Sequence, residues 1–197
     1  MANQNTQQKG LICIAASTGG PAVLMQILSK LPADLSVPVV VIQHIWPGFT
    51  KGLADTLNEK CALPVSKAAD GETVLPGHIY IAPAEYHLFI KKIPGHHIFK
   101  LEESSEKAEV KPRADYLLES LTESTYDKIT ALVLTGMGSD ATKGLMVLSR
   151  KKDVTIFTQN EESCAVYGMP GNVMKAFPEA RIMTPDKMAE ELTKLYA

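Results

Sequence analysis

Leu11-Ile12-Cys13-Ile14-Ala15-Ala16 is an unbroken apolar run that stops at Ser17-Thr18-Gly19-Gly20, after which Pro21 opens a segment with helical spacing. An apolar run of this length bounded by glycine and proline reads as a strand buried on both faces, and proline at a first helical position needs no N–H. The stretch predicts strand, tight turn, helix. Ser17 then stands at the carboxyl end of a buried strand, against a helix N-terminus whose free amides can stabilise negative charge.

The rest of the chain repeats this alternation. Leu24, Ile27, Leu28 and Leu31 fall at i, i+3, i+4 and i+7, a buried helical face that Pro32 closes. Residues 37–43 form a second β-branched apolar run, followed by the turn-rich loop His44-Ile45-Trp46-Pro47-Gly48-Phe49-Thr50. Thr50 is suited to cap a helix on which Leu53, Leu57 and Cys61 repeat every four residues. Strand and helix in alternation predict a parallel sheet with helices on both faces.

Over residues 63–100 the pattern changes to short segments broken by Gly71, Pro76-Gly77, Pro83 and Pro94-Gly95. Residues 90–93 and 98–101, joined through Pro94-Gly95-His96-His97, read as a hairpin, and the charged, Ser-rich residues 102–109 as an exposed loop. Helical spacing returns at Ala114, Leu117, Leu118 and Leu121. A buried strand over 129–135 ends in Gly136-Met137-Gly138-Ser139-Asp140, and a helix carrying Leu145 and Leu148 follows. A short strand over 155–158, Ile182 at the sheet edge and a final helix over 185–196 complete the pattern. The expectation is an α/β fold: one three-layer α/β/α domain over 10–197, its mainly parallel, doubly wound sheet carrying a β-hairpin insertion, after a polar tail or linker over 1–9.

Composition narrows the function classes. A chain of 197 residues that is 45% apolar can build one sizeable core. Its net charge of −2 supplies no basic field, so nucleic acid is not an expected partner. No apolar stretch reaches the roughly 18 residues of a membrane span, and 1–10 contains no apolar signal core, so a soluble, cytoplasmic protein is expected. Cys13 in a core strand, Cys61 at a helix end and Cys164 in a loop form no CxxC pair, which argues against a disulfide framework and a structural zinc site.

Ser17, His44 and Asp140 lie just beyond three predicted strand ends. Open α/β sheets collect their ligand sites at the carboxyl ends of strands, so residues far apart in sequence can converge there. A serine becomes nucleophilic when a base takes its proton, and histidine titrates near working pH with a carboxylate fixing its tautomer. Taken singly, each has a plainer role. Ser17 suits a cap or phosphate cradle, His44 a satisfied loop histidine, and Asp140 the N-cap of the helix over 141–150. His78 and His87 in strands, and His96 and His97 in a hairpin turn, read as structural or solvated.

Five blocks resemble, in order, the catalytic domain of CheB, the chemotaxis receptor methylesterase family. They are Ile14-Ala15-Ala16-Ser17-Thr18-Gly19-Gly20-Pro21, Gln43-His44-Ile45-Trp46-Pro47-Gly48-Phe49-Thr50, Leu75-Pro76-Gly77-His78-Ile79-Tyr80-Ile81-Ala82-Pro83, Leu134-Thr135-Gly136-Met137-Gly138-Ser139-Asp140, and the glycine-rich stretch from Gln159 through Cys164 to Pro170. The resemblance implies hydrolysis of glutamate methyl esters on the cytoplasmic domain of bacterial chemoreceptors, with release of methanol, and in some members deamidation of glutamines. It implies Ser17 as nucleophile, His44 as general acid/base, Asp140 as the group orienting His44, the Met137 backbone N–H as an oxyanion donor and the Thr18 hydroxyl as support. It implies no metal or organic cofactor. A receiver domain, usual in the family, would belong to a longer protein.

Two departures stand out. Ser139-Asp140-Ala141 replaces the family's common Asn-Asp-Gly, and Lys111-Pro112-Arg113 moves an arginine across the proline. An alternative reading keeps the fold as a receptor-binding or scaffolding module with a slack triad. A nucleotide cradle at Ser17 to Gly20 finds neither G-x-G-x-x-G nor a P-loop to support it.

Overall fold

Alternate residues of the opening strand, β1 (Gly10–Ala16), enter two different apolar layers: Leu11, Cys13 and Ala15 face one, Ile12, Ile14 and Ala16 the other. The structure, a computed structural model, describes residues 10–103 and 110–197. Six further strands join β1 in one sheet: β2 (Val39–Gln43), β3 (Val65–Lys67), β4 (Ile79–Ile81), β7 (Lys128–Val133), β8 (Asp153–Gln159) and β9 (Arg181–Met183). Their order is β3-β4-β2-β1-β7-β8-β9, and every pairing is parallel. Because both faces of a parallel sheet are covered, its strands need no polar alternation, and β1 and β2 have none outside Gln43.

Helices α1 (Gly20–Leu28), α2 (Thr50–Asn58) and α6 (Pro185–Tyr196) cover one face, with Val23, Leu24, Ile27, Leu57, Met188 and Leu192 against Ile12, Ile14 and Val41. Helices α3 (Ala114–Ser120), α4 (Thr142–Leu148) and α5 (Gly168–Ala176) cover the other. A separate antiparallel hairpin, β5 (His87–Ile93) with β6 (His96–Glu102), adds Leu88, Ile90 and Phe99 to that second layer. The predicted α/β class, layers and hairpin insertion are therefore what the chain forms. From β1 the chain crosses to β2 on one side and later returns to β7 on the other, and such a switch point opens a crevice at the strand ends.

Some local expectations are corrected. His96 and His97 belong to β6, opposite Ile93 and Lys92, because Pro94-Gly95 turns the chain alone with Gly95 at φ +88°. His97 is buried and stacks on Tyr126 at 4.3 Å. Thr50 is not the cap of α2, whose N-cap is Phe49; its hydroxyl accepts from Ala84 N at 3.1 Å and ties loop to loop. Helix α1 stops at Leu28, short of Pro32. Asp140 does not cap α4, whose N-cap is Ala141. The tail over 1–9 and most of the expected loop over 102–109, residues 104–109, lie outside the described residues, and Glu102 ends β6. Cys13 is buried, which pushes its thiol pKa up, and Cys61 and Cys164 are half-buried and free. Among the described residues no helix is long and apolar enough to cross a membrane.

Candidate active site

Register brings the three strand ends level. Ala16 pairs with Gln43 and Ala15 with Val133, so the residues leaving β1, β2 and β7 emerge side by side. Ser17 N donates to Thr135 O at 3.0 Å and His44 N to Ala16 O at 2.9 Å, extending the ladder into the loops. At Ser17 the chain turns sharply: Gly20 N donates to Ser17 O at 2.8 Å with Gly19 at φ +82°. That is the third position of a type II turn, where glycine takes positive φ without a steric penalty.

Asp140 sits in the same kind of turn. Thr142 N donates to Ser139 O at 3.1 Å, and Ala141 holds φ +78° where glycine is preferred. A left-handed alanine costs roughly 1–2 kcal/mol, yet Ala141 is fully buried and the turn keeps its shape. The departure at Ala141 therefore does not move the carboxylate away. Asp140 Oδ2 lies 2.8 Å from His44 Nε2, and their side chains are 10% and 13% exposed respectively.

That carboxylate does a second thing that no local pattern foretold. Ala114 N donates to Oδ2 at 2.7 Å, and Asp115 N and Ala141 N donate to Oδ1, each at 3.0 Å. Asp140 thus satisfies the first free amides of α3, a helix 25 residues earlier in the chain. Arg113 Nε stands 3.9 Å from Oδ1 while Arg113 Nη2 pairs with the buried Asp115 at 2.9 Å. Burial alone would raise the Asp140 pKa, but the His44 hydrogen bond and the α3 amides outweigh it and hold the carboxyl below its ordinary value.

Ser17, His44, Val110, Arg113, Met137, Gly138 and Asp140 line one cleft of about 530 Å³. Four of the five expected site residues meet there. Thr18 is the exception: it is exposed, and its carbonyl, accepting from Thr135 Oγ1 at 2.9 Å, makes the contact that ties it down. Among the described residues no hydrogen bond joins Ser17 Oγ to His44, a looseness common in free active sites. A second cleft of about 620 Å³ continues from His44 past Trp46, Pro47, Glu85 and Lys111. Among the described residues no cluster of three or more His, Cys, Asp or Glu side chains could hold a metal ion.

The Gly136-Met137-Gly138 loop is pinned from behind. Gly136 N donates to Val166 O and Met169 N to Gly136 O, both at 2.9 Å. A Cβ at Gly136 would lie 2.6 Å from Ser17 Cβ and 2.6 Å from Met169 Sδ. The methionine can yield, but Ser17 cannot without breaking its bond to Thr135. Gly136→Ala should therefore displace Ser17: a shift near 1 Å costs about 10²-fold in turnover, whereas overpacking costs about 1–3 kcal/mol. Turnover and melting temperature measured on the same preparation check this, and unchanged turnover would mean that Gly136 does not set the Ser17 position.

Beneath the cleft lies a buried polar tier: Gln43, Thr135 and Gln159. Gln159 Oε1 accepts from Thr135 N at 2.8 Å and its Nε2 donates to Ser163 O at 2.8 Å, while Thr135 Oγ1 accepts from Val166 N at 3.0 Å. Sequence reasoning passed over these residues. The signal was present at Gln43 and Gln159, each a polar residue closing a buried β-branched run.

Comparison with known proteins places this arrangement in context. The family model described as CheB methylesterase matches residues 12–192. A protein of Thermotoga maritima named protein-glutamate methylesterase/protein-glutamine glutaminase is 38% identical over 94% of this chain and 54% of its own length. One of the same name from Bacillus subtilis is 44% identical over 84% of this chain and 46% of its own. The chain spans about half the length of the curated relatives it matches. The crystal structure of the Thermotoga maritima CheB methylesterase catalytic domain superposes with a TM-score of 0.89 at 38% identity, covering 94% of this chain and 97% of that one.

Proposed function

The chain belongs to the CheB methylesterase family, and from that premise we propose that residues 10–197 are a catalytic unit hydrolysing glutamate methyl esters on the cytoplasmic domain of a chemoreceptor. Methanol is the product, and ammonia where the substrate is a glutamine. The single observation that carries the reading is the cleft in which Ser17, His44 and Asp140 come together with a 2.8 Å contact between the last two.

Ser17 Oγ attacks the ester carbonyl carbon as His44 takes its proton. Because Nε2 faces Asp140, the tautomer is the one with hydrogen on Nε2, and Nδ1 is the nitrogen that serves Ser17. Asp140 stays ionised and stabilises the imidazolium. The tetrahedral oxyanion takes the Met137 N–H, which among the described residues donates to no protein acceptor. Collapse breaks the ester C–O bond, and His44 returns the proton to the departing methoxide. Water then attacks the acyl-enzyme by the reverse proton path, freeing the glutamate carboxyl and Ser17.

A protein substrate suits the rim. Trp46 is 79% exposed, and Val110 and Met137 are also exposed around the two clefts, an apolar lip suited to a macromolecular surface. Covalent labelling by a serine-directed fluorophosphonate tests the chemistry without a receptor. One adduct on Ser17, found by peptide mass mapping, is the expected result. A chain that takes no label would be a binding module with an idle triad.

A further inference from the structure

Gln43 is the last residue of β2 and is 1% exposed. Its Nε2 donates to Ser17 O at 2.9 Å and to His44 O at 2.8 Å. The orientation of this amide is fixed by chemistry, because only the nitrogen end can give hydrogens to two carbonyls. Its other end, Oε1, is buried without a partner. It lies over Gly20, where a Cβ would come within 2.0 Å of it.

Two features separate this arrangement from ordinary core filling. Ser17 O already accepts from Gly20 N at 2.8 Å, so the Gln43 bond to it is not needed to satisfy that carbonyl. An unpaired buried Oε1 is destabilising, and an apolar side chain of the same length would remove it. What glutamine adds is one rigid group joining the residues on either side of the crevice. We propose that Gln43 is a positioning residue whose amide holds Ser17 and His44 in register for proton transfer.

The proposal rests on the Ser17–His44 reading above. It acts through two backbone carbonyls and touches no substrate. Gln43→Met keeps length and apolar packing but removes both donors. Gln43→Glu keeps shape but turns a carboxylate toward two carbonyl oxygens until it is protonated. On a methylated chemoreceptor fragment, Gln43→Met should lower kcat about 10- to 100-fold, the range of a sub-ångström to 1 Å misplacement. KM should change less than about threefold, because no substrate contact is lost.

For Gln43→Glu the ratio of its turnover to that of the unaltered chain should rise as pH falls and one donor is restored. The titratable groups beside it are His44, whose carbonyl it holds, and Asp140 beyond. A carboxylate at position 43 favours the imidazolium of His44, so each pH profile is corrected for its own histidine limb before the ratio is taken. β1 and α1 carry no acidic or basic side chain, and Lys51 and Asp55 of α2 are exposed and pair with each other. Gln43→Met turnover within twofold of the unaltered chain, with Ser17→Ala inactive, would overturn the role of Gln43 and leave the triad standing. Undiminished turnover in Ser17→Ala would instead overturn the reading beneath it. If Gln43→Met does not fold, a Gln43→Glu ratio that is flat across pH overturns the proposal.

Discussion

Ser17→Ala should abolish methanol release from a methylated receptor, with kcat/KM falling by about 10⁴-fold or more, the scale on which triad nucleophiles are lost. The fold should be untouched. Ser17 is only half-buried, and the bonds that shape its turn, Ser17 N to Thr135 O and Gly20 N to Ser17 O, are backbone bonds that alanine retains. Melting temperature should therefore stay within a degree or two while activity disappears. Residual turnover above water would come from the oxyanion site and binding alone. Methanol release at the original rate would dismiss Ser17 as nucleophile.

Asp140→Asn should do two kinds of damage, because the carboxylate serves His44 and α3 together. An asparagine presents one oxygen and one NH₂, so at least one of the donors His44, Ala114 N, Asp115 N or Ala141 N faces another donor. Turnover should fall by about 10⁴-fold, as when a triad carboxylate is amidated and the imidazole tautomer is lost. Stability at neutral pH should fall by about 1–3 kcal/mol, the cost of leaving a buried partner unmatched.

The pH dependence of that loss has a definite sign. The folded pKa of Asp140 is lowered relative to the unfolded chain, so its stabilisation is present above the ordinary carboxylate range and is lost as pH falls through the folded value. Urea titrations should then show the gap between the unaltered chain and Asp140→Asn closing as pH is taken below about 4. A gap that stayed constant into acid would separate Asp140 from the charge-assisted bonds assigned to it.

Strand ends were the legible part of this site. Ser17, His44 and Asp140 each follow a buried apolar run, and a parallel sheet gathers such positions by topology alone. The hairpin was legible from Pro94-Gly95, although the polar pair after it disguised the start of β6. What sequence could not give was contact across distance. That the Asp140 carboxylate closes the first turn of α3 depends on how α3 and α4 pack, where Gly144 allows an approach that a Cβ, 2.7 Å from Asp115 Cα, would block. Gln43 stood out as a polar residue closing a buried run, but nothing local told that its amide reaches the carbonyls of Ser17 and His44. Thr18, expected at the site through its hydroxyl, also contributes a carbonyl to the tier below.

The shared carboxylate also makes the site audible from a distance. Ala114 and Asp115 amide protons are held by the same group that faces His44, so their solvent exchange rates measure how often that group lets go. Fraying of one helical turn and loss of imidazole orientation are coupled through that one carboxylate. A partner that pulled on residues 110–113, of which Val110 and Arg113 line the cleft, would thus reach the histidine through α3, and two backbone resonances would record it.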